Sequence, residues 1–555
     1  MPIIPNLSAH RSPTRMNALA EEDDFVAWPY IDSLYDYTQV LGHPLAKLPL
    51  TELGSRVAVI GGGAAGIVAA LELLRMGLRP VIYEGSGRIG GRNWSKRFSD
   101  EQAIAELGAM RVPPENRVFF YYANLLDMQT APFPDPGKVQ TTLFYKGRTY
   151  SWAPGTLPPA PFDAIQATFE GFVTPLRNRL WDPWRRGDMA SVQKVWQEYI
   201  DKYSTMSFYE GVQQGTGWNQ EQMTAFGALG LGSGGFGPLF DISFLDIFRL
   251  LINQLETNQE FFAGGISTLT EGMYNMKVKV GAGPVSLAEI NALHQAYATT
   301  LERQGDSHWQ ITDSKGETRS FEAVILATTT REMEVIGMTL PSSPLPQDVQ
   351  TAIRDLHMME SSKLFIRTQT KFWKTDPSVP SNIQTDQLPR GVYCLDYPQT
   401  DYGVVLISYT WGDDSSKLMA YRDAQQRFEL LRSVIATIDP KFASYLKPVG
   451  GEIIMVDWQL EPHYLGAFKL NLPGQEAEVQ SVYYQFLTSL NAETDNGLYL
   501  AGDGVSWTGG WTEGALQTGI NAAAAVAQHL GGTPIPNGPL TQKPLYVYPP
   551  AVSKH

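Results

Sequence analysis

The stretch that decides the fold is VAVIGGGAAGIVAALELLRMG, residues 57–77. It begins as an apolar strand, Val57–Ile60, turns on glycines and continues as an apolar helix, Ala64–Met76. A second strand, Pro80–Glu84, follows, so the order strand, helix, strand predicts the start of a parallel α/β sheet. The stretch alone leaves two interpretations open: the wall of a dinucleotide pocket, or an apolar segment without a cofactor.

The glycine spacing GxGxxG favours the dinucleotide pocket. Gly61 permits a tight turn, Gly63 lets the backbone approach a pyrophosphate, and Gly66 lets the helix lie close to the sheet. Ala65 lies in the first turn of the helix, whose amides face the phosphates. Glu84 ends the next strand, where a carboxylate can accept hydrogen bonds from ribose hydroxyls. The order of these features predicts a dinucleotide cofactor.

Composition limits the function. A chain of 555 residues predicts two to four domains, and a net charge of -14 with no basic cluster argues against a nucleic-acid partner. The single cysteine, Cys394, permits no internal disulfide, and no metal site is predicted, which fits a reducing cytoplasm. The N-terminus lacks a secretory signal. The longest apolar stretch contains Glu72 and five glycines, so no membrane span is predicted.

Two further segments indicate which cofactor is bound. EGSGRIGGR, residues 84–92, follows the first motif directly, and AGD, residues 501–503, opens a second glycine loop before an alanine-rich helix. With these segments the chain resembles the flavin-dependent amine oxidases, in which both close over one FAD. An NAD dehydrogenase would not need the second segment. The resemblance implies FAD.

Within that family the chain resembles most the L-amino-acid oxidases and monooxygenases. The resemblance spans residues 55–532 and is carried by GAMRVPP, FPDPG, GLGSGGFGPLF, SSKLFIRTQTKFW, RGVYCLDY, VVLISYTWGDD, GAFKLNLPG and GGWTEGALQTG. It implies an α/β fold: a GR2-like, Rossmann-type FAD-binding domain interleaved with a mixed-sheet substrate domain and a mainly helical insertion. The predicted division is an N-terminal arm (1–53), the FAD-binding domain (54–115, 261–330 and 476–532), the substrate domain (116–160 and 331–475), the insertion (161–260) and a C-terminal tail (533–555).

The resemblance also implies residue roles at the cofactor. Because Cys394 lies in a strand-like segment and not in the C-terminal flavin loop, FAD is expected to be bound without a covalent bond. The residues expected to bind it are Gly61, Gly63, Ala65, Gly66, Glu84, Gly91, Arg92, Met110, Arg111, Gly502, Asp503, Trp511 and Thr512.

Arg111, Tyr409 and Lys363 are the expected catalytic side chains, together with Trp511. A guanidinium can hold a carboxylate by two parallel hydrogen bonds, although a surface ion pair is the alternative for Arg111. The resemblance implies that Arg111 binds the substrate carboxylate and that the Tyr409 hydroxyl adds to it, the alternative being a tyrosine packed in the core. It also implies that Lys363 holds a water beside flavin N5 and assists the reaction with oxygen. The alternative is a lysine that reaches solvent.

The substrate pocket is expected to be apolar. Gly510 and Trp511 would lie over the reactive face of the flavin, and Phe236 near the substrate side chain. The apolar segment 236–240 favours an aromatic side chain. Relatives acting on lysine carry an acid where this chain has Gly237, and Asp241 could pair with a cation only if it points inward. Trp507 and Trp458 could line the pocket, although core packing is the more frequent role for such residues.

The expected reaction is hydride transfer from the Cα of an L-amino acid, L-tryptophan or L-phenylalanine, to flavin N5, followed by reoxidation with O2. Retention of the imino acid gives an amide one carbon shorter, and its release gives a 2-oxo acid, ammonia and hydrogen peroxide. An oxidase of amines without a carboxylate and an inactive flavoprotein binding module remain alternatives. We expect a cytoplasmic homodimer with no nucleic-acid or membrane partner.

Overall fold

The computed structural model describes residues 35–541 apart from 36, 229–234, 254, 256–257, 282 and 306–307. The predicted strand, helix and strand are present as Arg56–Ile60, Ala64–Arg75 and Arg79–Tyr83. Each end lies within one residue of its predicted position. The predicted α/β start is therefore confirmed.

Five parallel strands form the first large sheet. Their spatial order is Leu293–His294, Arg79–Tyr83, Arg56–Ile60, Ala323–Leu326 and Leu498–Leu500. Numbered along the chain, this order is 3-2-1-4-5, which is that of a Rossmann sheet. The order reverses between the first and fourth strands, and ligands bind beyond the carboxyl ends of strands at such a point. The sheet thus places a binding site after Ile60 and Leu326.

The helix Ala64–Arg75 packs against a later helix, Thr512–His529, and both helices contact strands of this sheet. A Cβ added to Gly66 would lie 1.9 Å from the Gly61 carbonyl oxygen, and one added to Gly519 would lie 2.5 Å from the Ala65 carbonyl oxygen. Small residues on both helices therefore permit the close packing that brings the C-terminal segment against the glycine turn.

A seven-stranded mixed sheet forms the second large layer. Its pairs are antiparallel except that Thr141–Tyr145 runs parallel to Asn382–Thr385. The spatial order is Ile453–Asp457, Ser361–Thr368, Gly403–Trp411, Gly391–Leu395, Asn382–Thr385, Thr141–Tyr145 and Arg148–Trp152. The segments that carry Lys363 and Tyr409 are the buried, adjacent strands of this sheet.

A run of helices follows the strand Arg148–Trp152 in sequence: Phe162–Arg185, Met189–Tyr203, Phe208–Thr216, Gln220–Ala228 and Phe244–Ile252. The other α-helices within the described residues are Arg117–Leu125, Ser267–Asn275, Thr330–Val335, Gln347–Asp355, Phe372–Thr375, Asp413–Leu418, Ala424–Ile438, Pro440–Tyr445 and Glu476–Tyr483. The strands Ala298–Gln304, His308–Asp313 and Thr318–Phe321 form a three-stranded sheet. Two-stranded pairs join Ser95–Arg97 to Ile104–Glu106, Thr130–Pro132 to Glu260–Phe262, Val278–Val280 to Gly283–Val285, and Met358–Met359 to Phe468–Lys469.

The described parts of the predicted arm and tail contact the body of the protein. Ala46–Lys47 pairs with Thr533–Pro534, and the Tyr37 hydroxyl lies 2.7 Å from that of Tyr483. Residues 1–34 and 542–555, which hold most of the predicted arm and tail, lie outside the described residues. Across the part of the chain that is described, none of the helices has the length and apolar character needed to cross a membrane.

Candidate active site

The glycine turn after Ile60 is built for close backbone approach. Gly61 has a φ of +108°, and a Cβ there would lie 2.6 Å from the Ala327 carbonyl oxygen. Gly63 precedes the helix, and its carbonyl accepts the Ile67 amide at 2.9 Å. The open amides of this helix N-terminus suit a phosphate group. No side chain larger than glycine fits at position 61 without displacing the backbone.

Glu84 fixes the other side of the turn. Its Oε2 accepts the Gly62 amide at 2.9 Å, and its Oε1 accepts the amide and the hydroxyl of Ser86 at 2.7 Å and 2.6 Å. The carboxylate is buried. It is therefore held at the carboxyl end of Arg79–Tyr83, where an acid can meet ribose hydroxyls.

The glycine segment 84–92 lies directly against the glycine turn that follows Ile60. A Cβ on Gly91, whose φ is +61°, would lie 2.9 Å from the Gly63 Cα. The next residue, Arg92, forms an ion pair with Asp503 and donates to the Ala467 carbonyl at 2.9 Å. This ion pair joins the N-terminal and C-terminal segments at one cavity.

The C-terminal segment is held by hydrogen bonds to its own helix and to the glycine segment. The Gly502 amide donates to the Thr518 hydroxyl at 2.9 Å, and the Thr512 hydroxyl donates to Asn93 Oδ1 at 2.8 Å. Gly502 has a φ of +132°, which disfavours any residue with a side chain. The Thr512 contact therefore joins the C-terminal segment to Asn93, directly after the glycine segment, although the two are far apart in sequence.

A cavity of about 210 Å³ runs from the glycine turn to the seven-stranded sheet. Most of the predicted site residues line it. They are Gly61, Gly63, Ala65, Glu84, Gly91, Arg92, Met110, Arg111, Lys363, Tyr409, Gly502, Asp503, Gly510, Trp511 and Thr512. The glycine cradle, the acid and the two joined segments fit a dinucleotide.

Arg111 is half-buried at the cavity wall. Its Nη1 donates to Gln259 Oε1 at 3.0 Å, and its guanidinium carbon lies 5.7 Å from the centre of the Phe133 ring. The side chain is therefore held against a polar and an aromatic partner while it lines the cavity.

Lys363 is the third residue of the strand Ser361–Thr368 and is only 3% exposed. Its ammonium donates to the carbonyls of Glu106 at 3.0 Å and Gly108 at 2.6 Å. Burial lowers the pKa of Lys363 to about 7. The lysine does not reach outward to solvent, which was the alternative interpretation, but lies at the cavity wall.

Tyr409 lies directly opposite Lys363 on the neighbouring strand, Gly403–Trp411. Ser361 and Trp411 form the next such pair on the same face, and all four residues line the cavity. The Tyr409 ring meets the Trp411 ring edge to face at 5.5 Å, and Trp411 meets Phe468 at 5.3 Å. One sheet face thus presents an ammonium, two hydroxyls and an aromatic wall.

Four residues that were not predicted from the sequence also line the cavity: Trp411, Phe468 and two leucines, Leu239 and Leu250. The alternation of side chains along a strand could have found Trp411, two residues after Tyr409. For Phe468 there was no comparable signal, because it lies in a strand of only two residues.

Two residues on the predicted list lie elsewhere. Gly66 packs against the glycine turn from within the helix and does not line the cavity. Phe236 stacks on Phe226 at 4.7 Å and lies 5.6 Å from Phe208, in an aromatic cluster of the helical segment. This placement differs from the predicted one, because Leu239, three residues later, faces the cavity instead.

The remaining candidates also divide into residues that line the cavity and residues that do not. Trp458 lines the cavity and donates its indole N–H to the Leu107 carbonyl at 2.8 Å. Trp507 packs against Arg249 at 4.7 Å and is not a lining residue. Asp241 is exposed on a loop and does not line the cavity. Cys394 is buried in Gly391–Leu395, and burial raises the pKa of its thiol.

A Rossmann sheet whose binding cavity continues to a polar wall on a second sheet defines a dinucleotide-dependent oxidoreductase. Comparison with known proteins narrows this class. The sequence model of the flavin containing amine oxidoreductases matches residues 64–527. The chain belongs to this family, which confirms the predicted resemblance and a flavin cofactor.

Relatives and solved structures agree with this assignment. The tryptophan 2-monooxygenase of Pantoea agglomerans pv. gypsophilae is 38% identical over 547 residues, covering 91% of this chain and 95% of that protein. An L-amino-acid oxidase of Siganus canaliculatus is 24% identical over 508 residues, covering 88% and 89%. Cyclohexylamine oxidase from Brevibacterium oxydans IH-35A shares the fold with a TM-score of 0.66 at 16% identity, covering 86% of this chain and 100% of that one.

Proposed function

We propose that this protein oxidises an aromatic L-amino acid, L-tryptophan or L-phenylalanine, with FAD, and converts it with O2 into the amide one carbon shorter. The observation that carries the proposal is the convergence of Arg111, Lys363 and Tyr409 on one cavity that begins at the glycine turn. The relative named tryptophan 2-monooxygenase, which matches nearly the whole chain, supports the same reaction class.

The dinucleotide form of the flavin, FAD, is supported by the residues at the turn. A Gly61 to Gly63 cradle for phosphates and a buried Glu84 for a ribose are features that a mononucleotide would leave unused. Non-covalent binding is supported by Cys394, whose buried thiol lies in a strand and does not line the cavity.

When bound, the flavin supplies the redox chemistry by accepting a hydride from the substrate Cα and passing the electrons to O2. The protein supplies orientation. The planar guanidinium of Arg111 can hold the substrate carboxylate through two parallel hydrogen bonds, and the Tyr409 hydroxyl can donate a third. Three donors on one carboxylate fix the position of the neighbouring Cα in the cavity.

Lys363 contributes charge. Its ammonium uses two of its three hydrogens on the carbonyls of Glu106 and Gly108, which leaves one for a water or ligand. A positive charge in a water-poor cavity stabilises negative charge that develops during reaction with oxygen. Trp511 and Gly510 line the same cavity and are proposed to cover the reactive face of the cofactor.

The apolar lining supports the substrate class. Leu239 and Leu250 from the helical segment line the cavity together with Trp411, Phe468 and Leu470. An indole or phenyl ring buries most of its area against such a wall, whereas a cationic side chain would lose hydration without a carboxylate partner. The exposed Asp241 offers no such partner at the cavity.

The second candidate is an L-amino-acid oxidase that releases the 2-oxo acid, ammonia and hydrogen peroxide. It is favoured by the oxidase of Siganus canaliculatus among the relatives. The two reactions share every residue role described above and differ in whether the imino acid stays in the cavity. We further propose a cytoplasmic homodimer, to be tested by light scattering and cell fractionation.

Anaerobic mixing tests the substrate class. The flavin should bleach with L-tryptophan and L-phenylalanine, and much more slowly with tryptamine and phenethylamine, which keep the ring and amine but lack the carboxylate. Equal bleaching by amino acids and amines would contradict the role of Arg111. Bleaching by L-lysine alone would contradict the role of the apolar wall, and absence of bleaching by any of these compounds would favour a binding module.

A further inference from the structure

Glu106 is a buried carboxylic acid that the proposed reaction does not use. It ends the strand Ile104–Glu106 and is 1% exposed. Its Oε1 accepts the Ile266 amide at 2.9 Å, and its Oε2 accepts the Ser95 hydroxyl at 2.7 Å. Both donors are neutral, so these contacts stabilise the carboxylate without balancing its charge.

Lys363 is a buried cation whose hydrogen-bond acceptors are likewise neutral. Its ammonium donates to two neutral acceptors, and one of them is the backbone carbonyl of Glu106 itself, at 3.0 Å. The ammonium therefore contacts the main chain of the residue that carries the buried carboxylate. Two buried ionisable groups of opposite charge are thus adjacent, and each has only neutral hydrogen-bond partners in the contacts described above.

The other elements around Lys363 present few charges. Arg111 lies five residues after Glu106 in the chain, and its positive charge lowers the pKa of Lys363. The neighbouring strands place the Tyr409 ring 4.7 Å away on one side and Val456 on the other. Among the residues that act on Lys363, Glu106 carries the acidic group.

The titration behaviour agrees with this geometry. Burial lowers the pKa of Lys363 to about 7, while Glu106 acts to raise it and Arg111 to lower it. Burial raises the pKa of Glu106 to about 7, while its hydrogen bonds and the positive charges of Lys363 and Arg97 act to lower it. Each group therefore favours the charged form of the other, and this mutual effect is strengthened by the low dielectric of their surroundings.

We propose that Glu106 is a positioning residue for Lys363. The Glu106 carboxylate holds the lysine in its ammonium form at the cavity wall. Without this charge, burial beside Arg111 would leave a neutral amine, and the cavity would lose its positive group. The pH range over which Lys363 is charged is then set by a residue that does not line the cavity. The inference rests on the proposed function only for the role of Lys363 toward oxygen.

The test reads the titration of Lys363 directly. Lysine labelled with ¹³C at Cε gives an NMR signal for Lys363 that is identified by its loss in Lys363→Met. In Glu106→Gln the titration midpoint should fall by about one pH unit or more, because an opposite charge is removed. The amide fits the site, since its oxygen can accept from Ile266 and its nitrogen can donate to the Ser95 hydroxyl. An unchanged midpoint in Glu106→Gln would overturn the proposal.

Two further variants separate charge from structure. Glu106→Asp keeps the charge and should leave the midpoint close to that of the wild type. Glu513→Gln is the matched control, because Glu513 is also a buried carboxyl whose hydrogen-bond donors are neutral: the backbone amides of Val118 and Phe119 and the side-chain amide of Gln517. It should leave the Lys363 midpoint unchanged, and a shift as large as that of Glu106→Gln would contradict a specific coupling.

A reciprocal measurement holds even if Glu106→Gln folds poorly. In Lys363→Met the Glu106 carboxyl, read from glutamate labelled with ¹³C at Cδ, should titrate at a higher pH than in the wild type. No upward shift would overturn the proposal. Reoxidation of photoreduced flavin, measured without substrate, separates this inference from the proposed function. If the Lys363 midpoint moves in Glu106→Gln and the pH profile of reoxidation does not, the coupling stands and the oxygen role of Lys363 fails.

Discussion

Lys363 and Tyr409 are cross-strand partners in the seven-stranded sheet, and the Lys363 ammonium lies 4.7 Å from the centre of the Tyr409 ring. Both side chains therefore keep their positions through the hydrogen bonds of two buried strands and not through a flexible loop. A cation above an aromatic ring contributes about 0.5–2 kcal/mol. The pair gives the cavity an ammonium and a phenol in fixed relation before any ligand arrives.

Removing the Tyr409 hydroxyl should weaken carboxylate binding but leave the lysine in place. In Tyr409→Phe, kcat/KM for L-tryptophan should fall about 10- to 150-fold, the effect of one hydrogen bond to a charged group. Tyr409→Ala also removes the ring beneath Lys363 and should cost more. Steady-state kinetics checks both: equal losses in the two variants would assign the effect to the hydroxyl alone, and an unchanged kcat/KM in Tyr409→Phe would contradict the role of the hydroxyl.

Removing the guanidinium should have the largest effect on amino-acid use. Arg111→Ala loses two charge-assisted hydrogen bonds, so kcat/KM for L-tryptophan should fall about 100-fold or more. The rate with tryptamine, which has no carboxylate, should change little. A variant that loses both activities in parallel would argue that Arg111 supports the fold and not the substrate. Gln259→Leu, which removes one partner of Arg111, should show a smaller loss.

Removing the ammonium should separate the two half-reactions. Lys363→Met has a similar length without the charge, so the protein should retain its flavin while reoxidation by O2 slows about 100-fold, a typical electrostatic contribution. Stopped-flow measurement of flavin absorbance after mixing with O2 checks this. Reoxidation at the wild-type rate would remove the role assigned to Lys363.

The wild-type reoxidation rate should depend on pH with a defined sign. Burial lowers the pKa of Lys363 to about 7, so the ammonium is present below this pH and is lost as the pH rises through it. The reoxidation rate should therefore fall as the pH rises through about 7. Lys363→Met provides the control, since its rate should lack this step.

Enlarging the glycine turn should prevent cofactor binding. In Gly66→Ala the new Cβ would lie 1.9 Å from the Gly61 carbonyl oxygen, so the helix must move away from the turn. The purified variant should contain little flavin by absorbance. Gly171→Ala is the matched control, because Gly171 is exposed in Phe162–Arg185 with nothing within 4 Å of an added Cβ. It should keep its flavin and gain about 0.5–1 kcal/mol in unfolding free energy.

The parts of the structure that the sequence predicted are those with local constraints. The GxGxxG turn specifies its own backbone, and so its strand and helix were placed within one residue. Arg111 and Lys363 stood out because a guanidinium between turns and a lysine in an apolar strand are unusual in sequence. The pairing of Lys363 with Tyr409 was not predictable, because strand register depends on contacts between distant segments.

The residues that the sequence analysis misplaced or missed depend on tertiary packing. Phe236 and Leu239 are both apolar and three residues apart, and only the packing of the helical segment directs Leu239 to the cavity and Phe236 to an aromatic cluster. Glu106 carries no sequence signal of its own, since an acid in ELGA becomes significant only when the Lys363 ammonium meets its carbonyl.

The products formed after anaerobic reduction and admission of oxygen test the central claim most directly. The protein is first reduced with L-tryptophan, then mixed with O2, and the products are identified by mass. The account predicts indole-3-acetamide, the amide one carbon shorter, together with carbon dioxide. Formation of the 2-oxo acid with an equal amount of hydrogen peroxide, and no amide, would contradict it and identify the protein as an oxidase.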